Sequence, residues 1–186
     1  GADNYWSFLN MHPAGYERGD GENMTIRLGY HSPSIHSLNP IYNPSICCLS
    51  SRFQLVYESL LKRDPYTGEL LPWLAENYAV GTYTHPVYGP CHKIKFNICG
   101  RYAMWSDGTP LTAADVYFTF VELDDILKAH GLPPPWWKHD IMNILDFKIL
   151  DPYNFEVLFN CSSICVLDWI ADQIILPKHI WKPIVK

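Results

Sequence analysis

Two adjacent tryptophans, Trp136 and Trp137, follow three consecutive prolines, Pro133 to Pro135. Large rings on a proline-stiffened loop offer stacking surface to a ligand at low entropic cost. The same arrangement would also serve as a plug closing the end of a domain. Lys138 and His139, next along the chain, read as solvated. Eight histidines raise the question of a metal, yet no pair has His-x-x-x-His spacing with a helical Glu, and none stands beside the cysteines in a ligand pattern. Cys91 and His92 would point to opposite faces of a strand. Catalytic signatures are equally absent: there is no Gly-x-Ser-x-Gly elbow and no Gly-x-Gly-x-x-Gly cradle, and Asp124-Asp125 lies late on a helix where solvation is the default. These residue types point to non-covalent capture of a ligand, with no catalytic residue, metal or cofactor assigned.

Such residues need a folded scaffold, and the composition provides for one. With 186 residues, 48% of them hydrophobic and 15% aromatic, the chain can bury a substantial core. The formal net charge is -5 and no basic stripe appears, so nothing supplies the electrostatic grip that a nucleic-acid backbone or an anionic membrane surface requires. Apolar stretches such as Ile174 to Leu176 fall far short of the roughly 20 residues that cross a bilayer. The chain is expected to be soluble, with any leader already removed. Six cysteines suggest an oxidising compartment. Cys91 and Cys99 flank one strand-like run and would stand about 26 Å apart, too far to bridge. Cys161 and Cys165 could approach on a helical turn, adjacent Cys47 and Cys48 could form only a strained bond, and all six could instead be small buried hydrophobes.

Periodicity supplies the elements. Residues 1–24 mix glycine, proline and charge without a period and read as an extension before the folded part, 25–186. Ile26, Leu28 and Tyr30 alternate as a strand, after which a turn-rich loop holds His31, Ser37, Leu38 and Asn39. Ser51 and Gln54 form a capping box for a helix over about Ser51 to Leu61, and Asp64-Pro65-Tyr66-Thr67-Gly68 is a turn by composition. Ile94, Phe96 and Ile98 alternate with Lys93, Lys95 and Asn97, which predicts a half-buried strand. Thr112 and Asp115 form a second capping box ahead of the longest helix, about Ala113 to His130, stopped by Gly131 and the prolines. Leu145, Phe147 and Ile149, then Phe155, Val157 and Phe159, flank an Asp151-Pro152-Tyr153-Asn154 turn as a β-hairpin. Ile164 to Ala171 suits a short helix and Ile174 to Leu176 a buried strand.

In this order the segments resemble family 5 of the extracytoplasmic solute-binding proteins. The specific run is Met104-Trp105-Ser106-Asp107-Gly108-Thr109-Pro110-Leu111-Thr112-Ala113-Ala114-Asp115-Val116, similar to the family's W-S-D-G-x-P-x-T-A-x-D-V. Tyr57-Glu58-Ser59-Leu60-Leu61, Asp64-Pro65-Tyr66-Thr67-Gly68-Glu69-Leu70, Pro72-Trp73-Leu74-Ala75-Glu76 and Ile175-Leu176-Pro177-Lys178-His179-Ile180-Trp181 match further family segments, so the likeness runs from about Thr25 to Trp181. Two features depart from the pattern: the stretch Gly81 to Pro90 is longer than the usual hairpin turn, and the cysteines are atypical.

The resemblance implies an α/β fold, a mixed sheet with packed helices forming the N-terminal lobe of a two-lobed periplasmic-binding-protein-like architecture, with the second lobe absent. It implies a monomeric substrate-binding component of an ABC transporter, outside the membrane and membrane-anchored when full length, that delivers peptides or similar solutes to a permease. Relatives carry a cleft aromatic near Trp137, and the loop with His31, Ser37 and Asn39 would lie near the interlobe cleft. Trp137, Trp136, His31, Ser37 and Asn39 are the candidate ligand contacts. The hallmark run itself explains its residue types structurally, since Asp107-Gly108 turns and Thr112 caps. Two alternatives use the same sequence: a ligand-sensing domain of a regulator, favoured by free thiols, and a secreted hydrolase resting only on available carboxylates.

Overall fold

The computed structural model describes residues 39–42, 56–100, 102–138, 143–163 and 165–185, all within one compact unit. Two short strands, β1 (Leu61–Arg63) and β2 (Leu70–Pro72), pair antiparallel around the predicted Asp64 to Gly68 turn. Asp64 Oδ1 accepts the backbone N–H groups of Tyr66 at 2.7 Å and Thr67 at 3.1 Å, which closes that turn. The main sheet follows as β3 (Ala75–His85), β4 (Gly89–Ile98), β5 (Ile144–Ile149) and β6 (Asn154–Phe159), in the order β3-β4-β6-β5. Every strand pairing among the described residues is antiparallel. The stretch Gly81 to Pro90 is itself sheet: it lengthens the β3/β4 hairpin, with only Pro86 to Tyr88 left as turn.

One face of this sheet is the core. Ile94, Phe96 and Ile98 from β4 and Phe155, Val157 and Phe159 from β6 are all fully buried, as alternation predicts. Across the strands run stacked rings, Phe147 on Phe155 at 5.0 Å and Phe155 on Phe96 at 5.3 Å, with Tyr78 beyond at 6.2 Å. Ring pairs at such spacing add to the energy of burial.

Against this face lies a helical run in three parts: α1 (Ala113–Tyr117), a wide turn (Phe118–Glu122) and α2 (Leu123–Ala129). At the wide turn the Leu123 N–H reaches Phe118 O, five residues back. The predicted helix therefore stands at the predicted place, interrupted once. Its two sides serve two cores. Val116 and Phe120 join the sheet cluster, while Phe118, Leu123 and Leu127 pack with Ile41, Trp137, Ile174 and Leu176. Thr119, buried between, donates its hydroxyl to Asp115 O and accepts the N–H of Leu176, each at 2.9 Å. Gly131, with φ of 68°, adopts the left-handed conformation that ends the run. Then come α3 (Cys165–Asp172), as expected, and α4 (Lys178–Val185), which the sequence reading does not anticipate.

Four expectations are corrected. The helix over Ser51 to Leu61 does not persist past Val56; Ser59 bridges Ile174 and Leu61 pairs with Pro72, because consecutive Leu60 and Leu61 are both fully buried between neighbouring chain segments. Ile174 to Leu176 is buried but contributes one isolated bridge, not a strand. Asp124 is not solvated: it is 3% exposed, and its Oδ2 receives Lys128 Nζ at 2.7 Å and Lys138 Nζ at 3.1 Å. Lys138 is accordingly an ion-pair partner and not a free surface cation. Cys91, Cys99, Cys161 and Cys165 are free thiols. The predicted strand at Thr25 to Tyr30, together with His31, Ser37, Cys47, Cys48 and His139, lies outside the described residues.

Candidate ligand-binding site

Beyond α2 the prolines carry the chain to Trp136 and Trp137, and Lys138 ties it back to Asp124 on the helix. Burial is the largest influence on the Asp124 carboxyl and raises its pKa, but hydrogen bonds and charge from the two lysines outweigh it and leave the group below the usual carboxylate range. The anchor therefore stays ionised and fixes the start of the loop.

The two tryptophans meet edge to face at 5.7 Å and have different surroundings. Trp137 is 2% exposed and packs with Ile41, Leu123, Leu127 and Leu176, and its carbonyl accepts Trp169 Nε1–H at 2.8 Å. Trp136 is 41% exposed, and its Nε1–H donates to Pro40 O at 2.9 Å while its backbone N–H donates to Ile41 O at 3.2 Å. Asn39 shapes that turn by accepting the Ile41 N–H on Oδ1 at 2.9 Å. Three of the five candidate contacts, Asn39, Trp136 and Trp137, are thus brought to one corner from opposite parts of the sequence. Of these, Trp136 keeps part of its surface exposed, whereas Trp137, expected as a cleft aromatic, is buried against it.

In the Met104 to Val116 run the carboxylates Asp107 and Asp115 are engaged in structure. Trp105 N–H donates to Thr109 O at 2.8 Å, Asp107 Oδ1 accepts Thr109 N–H at 2.9 Å, and Gly108 at φ 85° takes the turn. Asp115 Oδ2 accepts the Thr112 N–H at 2.9 Å, and its Oδ1 accepts the Lys178 N–H at 2.9 Å. Asp107 Oδ2 meets His179 Nε2 at 2.7 Å. The Trp-Ser-Asp-Gly run and the Leu-Pro-Lys-His segment, far apart in sequence, are therefore directly bonded. The backbone N–H of Thr109, with His179 next, lowers the Asp107 pKa to about 2.

Behind the hallmark turn lies a pocket of about 550 Å³, lined by Trp73, Trp105, Tyr102, Met104, Leu111 and Glu58 among others. None of the predicted contacts lines it. Sequence reading passes over it because its residues come from three segments, each already explained by a turn, a cap or a strand.

No family model matches the chain, and no curated protein matches it. Solved structures do. The oligopeptide binding protein from Thermus thermophilus, complexed with a pentapeptide, matches with a TM-score of 0.60 and 24% identity over 78% of this chain and 23% of that one. The dipeptide binding protein from a Pseudoalteromonas species, in complex with Met-Leu, gives 0.61 and 17% over 80% and 31%. NikZ from Campylobacter jejuni, in complex with Ni(L-His), gives 0.57 and 18% over 81% and 27%. At these identities the likeness defines the fold: the chain has the fold of part of the two-lobed solute-binding proteins. It spans less than a third of the length of each of these relatives.

Proposed function

We propose that this chain forms part of the substrate-binding component of an ABC transporter, a protein that captures a peptide or similar solute outside the membrane and presents it to a permease. The observation that carries this reading is the shared fold with three binding proteins that hold a pentapeptide, a dipeptide and a nickel–histidine complex. The family-like order of sequence motifs supports it. Ligand would stack on Trp136, with buried Trp137 holding that ring from beneath and Asn39 shaping the turn beside it, and hinge closure of a second lobe would supply the rest. A thermal-melting panel of di- to pentapeptides tests the reading. A bound solute raises the melting temperature by mass action, and Trp136→Ala should abolish most of that rise. No shift with any member of the panel would count against peptide capture.

One observation favours a second reading, a ligand-sensing domain of a regulator: the four described cysteines are all unpaired. Fractionation separates the two, since the transporter component belongs outside the membrane and the regulator inside.

A further inference from the structure

We propose that the pocket behind the Trp105 turn binds an organic cation, a quaternary or alkyl ammonium of about choline's size. At about 550 Å³ the pocket has small-molecule dimensions. Its wall is built from the aromatic residues Trp73, Trp105 and Tyr102 with Met104 alongside, and its one carboxylate among the described lining residues is Glu58. No Lys, Arg or His is among those lining residues. Aromatic faces attract cations through their quadrupole, and a thioether adds a polarisable contact. An anionic ligand would instead meet Glu58 without a cationic partner from the described wall.

Lys62 Nζ stands over the Trp73 ring at 5.9 Å, so Trp105 and Tyr102 are the rings left to a ligand cation. One further observation points the same way. At the mouth, Tyr102 is 81% and Met104 is 63% exposed. Large apolar side chains held in the open around a concavity mark a binding surface more often than an ordinary exterior. The site is separate from the Trp136 corner, and the inference does not rest on the solute-capture reading.

The test is calorimetric titration at low salt with choline chloride and with its neutral isostere 3,3-dimethylbutan-1-ol. Choline should bind saturably, and the alcohol about tenfold more weakly, because the shape is shared and only the charge differs. Glu58→Gln and Tyr102→Ala should each weaken choline several-fold. Both side chains are exposed, so both variants should keep the wild-type melting temperature. Trp136→Ala should leave choline binding unchanged, which keeps failure here distinct from failure of the solute-capture reading. Equal affinity for the two probes, absence of choline binding, or choline binding untouched by both pocket variants would overturn the proposal.

Discussion

Trp137 keeps 2% of its surface and Trp136 keeps 41%, although the two are adjacent and follow the same prolines. Their substitutions should separate accordingly. Trp137→Ala removes a buried indole from a cluster with Ile41, Leu123 and Leu127, and should cost about 3–5 kcal/mol in denaturant unfolding. Trp136→Ala should cost far less stability and instead weaken solute binding. Single side chains also tie stability to pH. Asp107 is held at about 2, and Asp124 also lies below its ordinary value of 3.8. Below 3.8, and above the lowered folded-state pKa of each group, the unfolded chain binds more protons than the folded one, so the stability they contribute is lost as pH falls. Melting temperature should therefore drop between about pH 4 and pH 2, and Asp107→Asn should flatten part of that drop. An acid profile identical to wild type would show that the Thr109 and His179 contacts do not set it.

Among the elements, those with strict alternation are legible in the sequence. β4 and β6 place Ile94, Phe96, Phe155 and Val157 inward as the period of two dictates, and the box at Thr112 and Asp115 starts a helix where predicted. The helix expected over Ser51 to Leu61 fails at its end, where Ser59, Leu60 and Leu61 are buried one after another, a short run whose spacing does not separate helix from extended chain. Leu60 and Leu61 are held by cross-chain contacts that no local pattern encodes. The wide turn at Phe118 to Glu122 is invisible for a similar reason: it lets one helical run face two cores, and only the second core, with Ile41 and Trp137, requires it. Asp115 links both ends of this arrangement by capping α1 and receiving Lys178 N–H. Asp115→Ala should cost about 2 kcal/mol or more, since it removes a cap and leaves a partly buried donor unpaired. Urea unfolding checks this, and a cost within about 0.5 kcal/mol would be that of an ordinary surface site.

For the molecule as a whole, the order of motifs carries the fold better than it carries the site. The Trp-Ser-Asp-Gly run and the Leu-Pro-Lys-His segment are recognisable separately, and the structure joins them through Asp107 with His179 and Asp115 with Lys178. That bonding is a physical reason for such residues to occur together, independent of any ligand. The candidate site is legible only as residue types. Asn39 and Trp136 meet at one corner through backbone hydrogen bonds that spacing could not foretell, and the aromatic pocket is assembled from three segments that each have a simpler explanation. The function proposed above is solute capture by a two-lobed protein of which this chain forms part. Mass spectrometry of small molecules released on denaturing the purified protein tests it most directly, with the Trp136→Ala variant run beside the wild type. Solute capture predicts a peptide or comparable solute at near-stoichiometric yield from wild type and a much reduced yield from the variant. Wild-type protein that releases no solute, and whose melting temperature does not move with any candidate supplied, would contradict it.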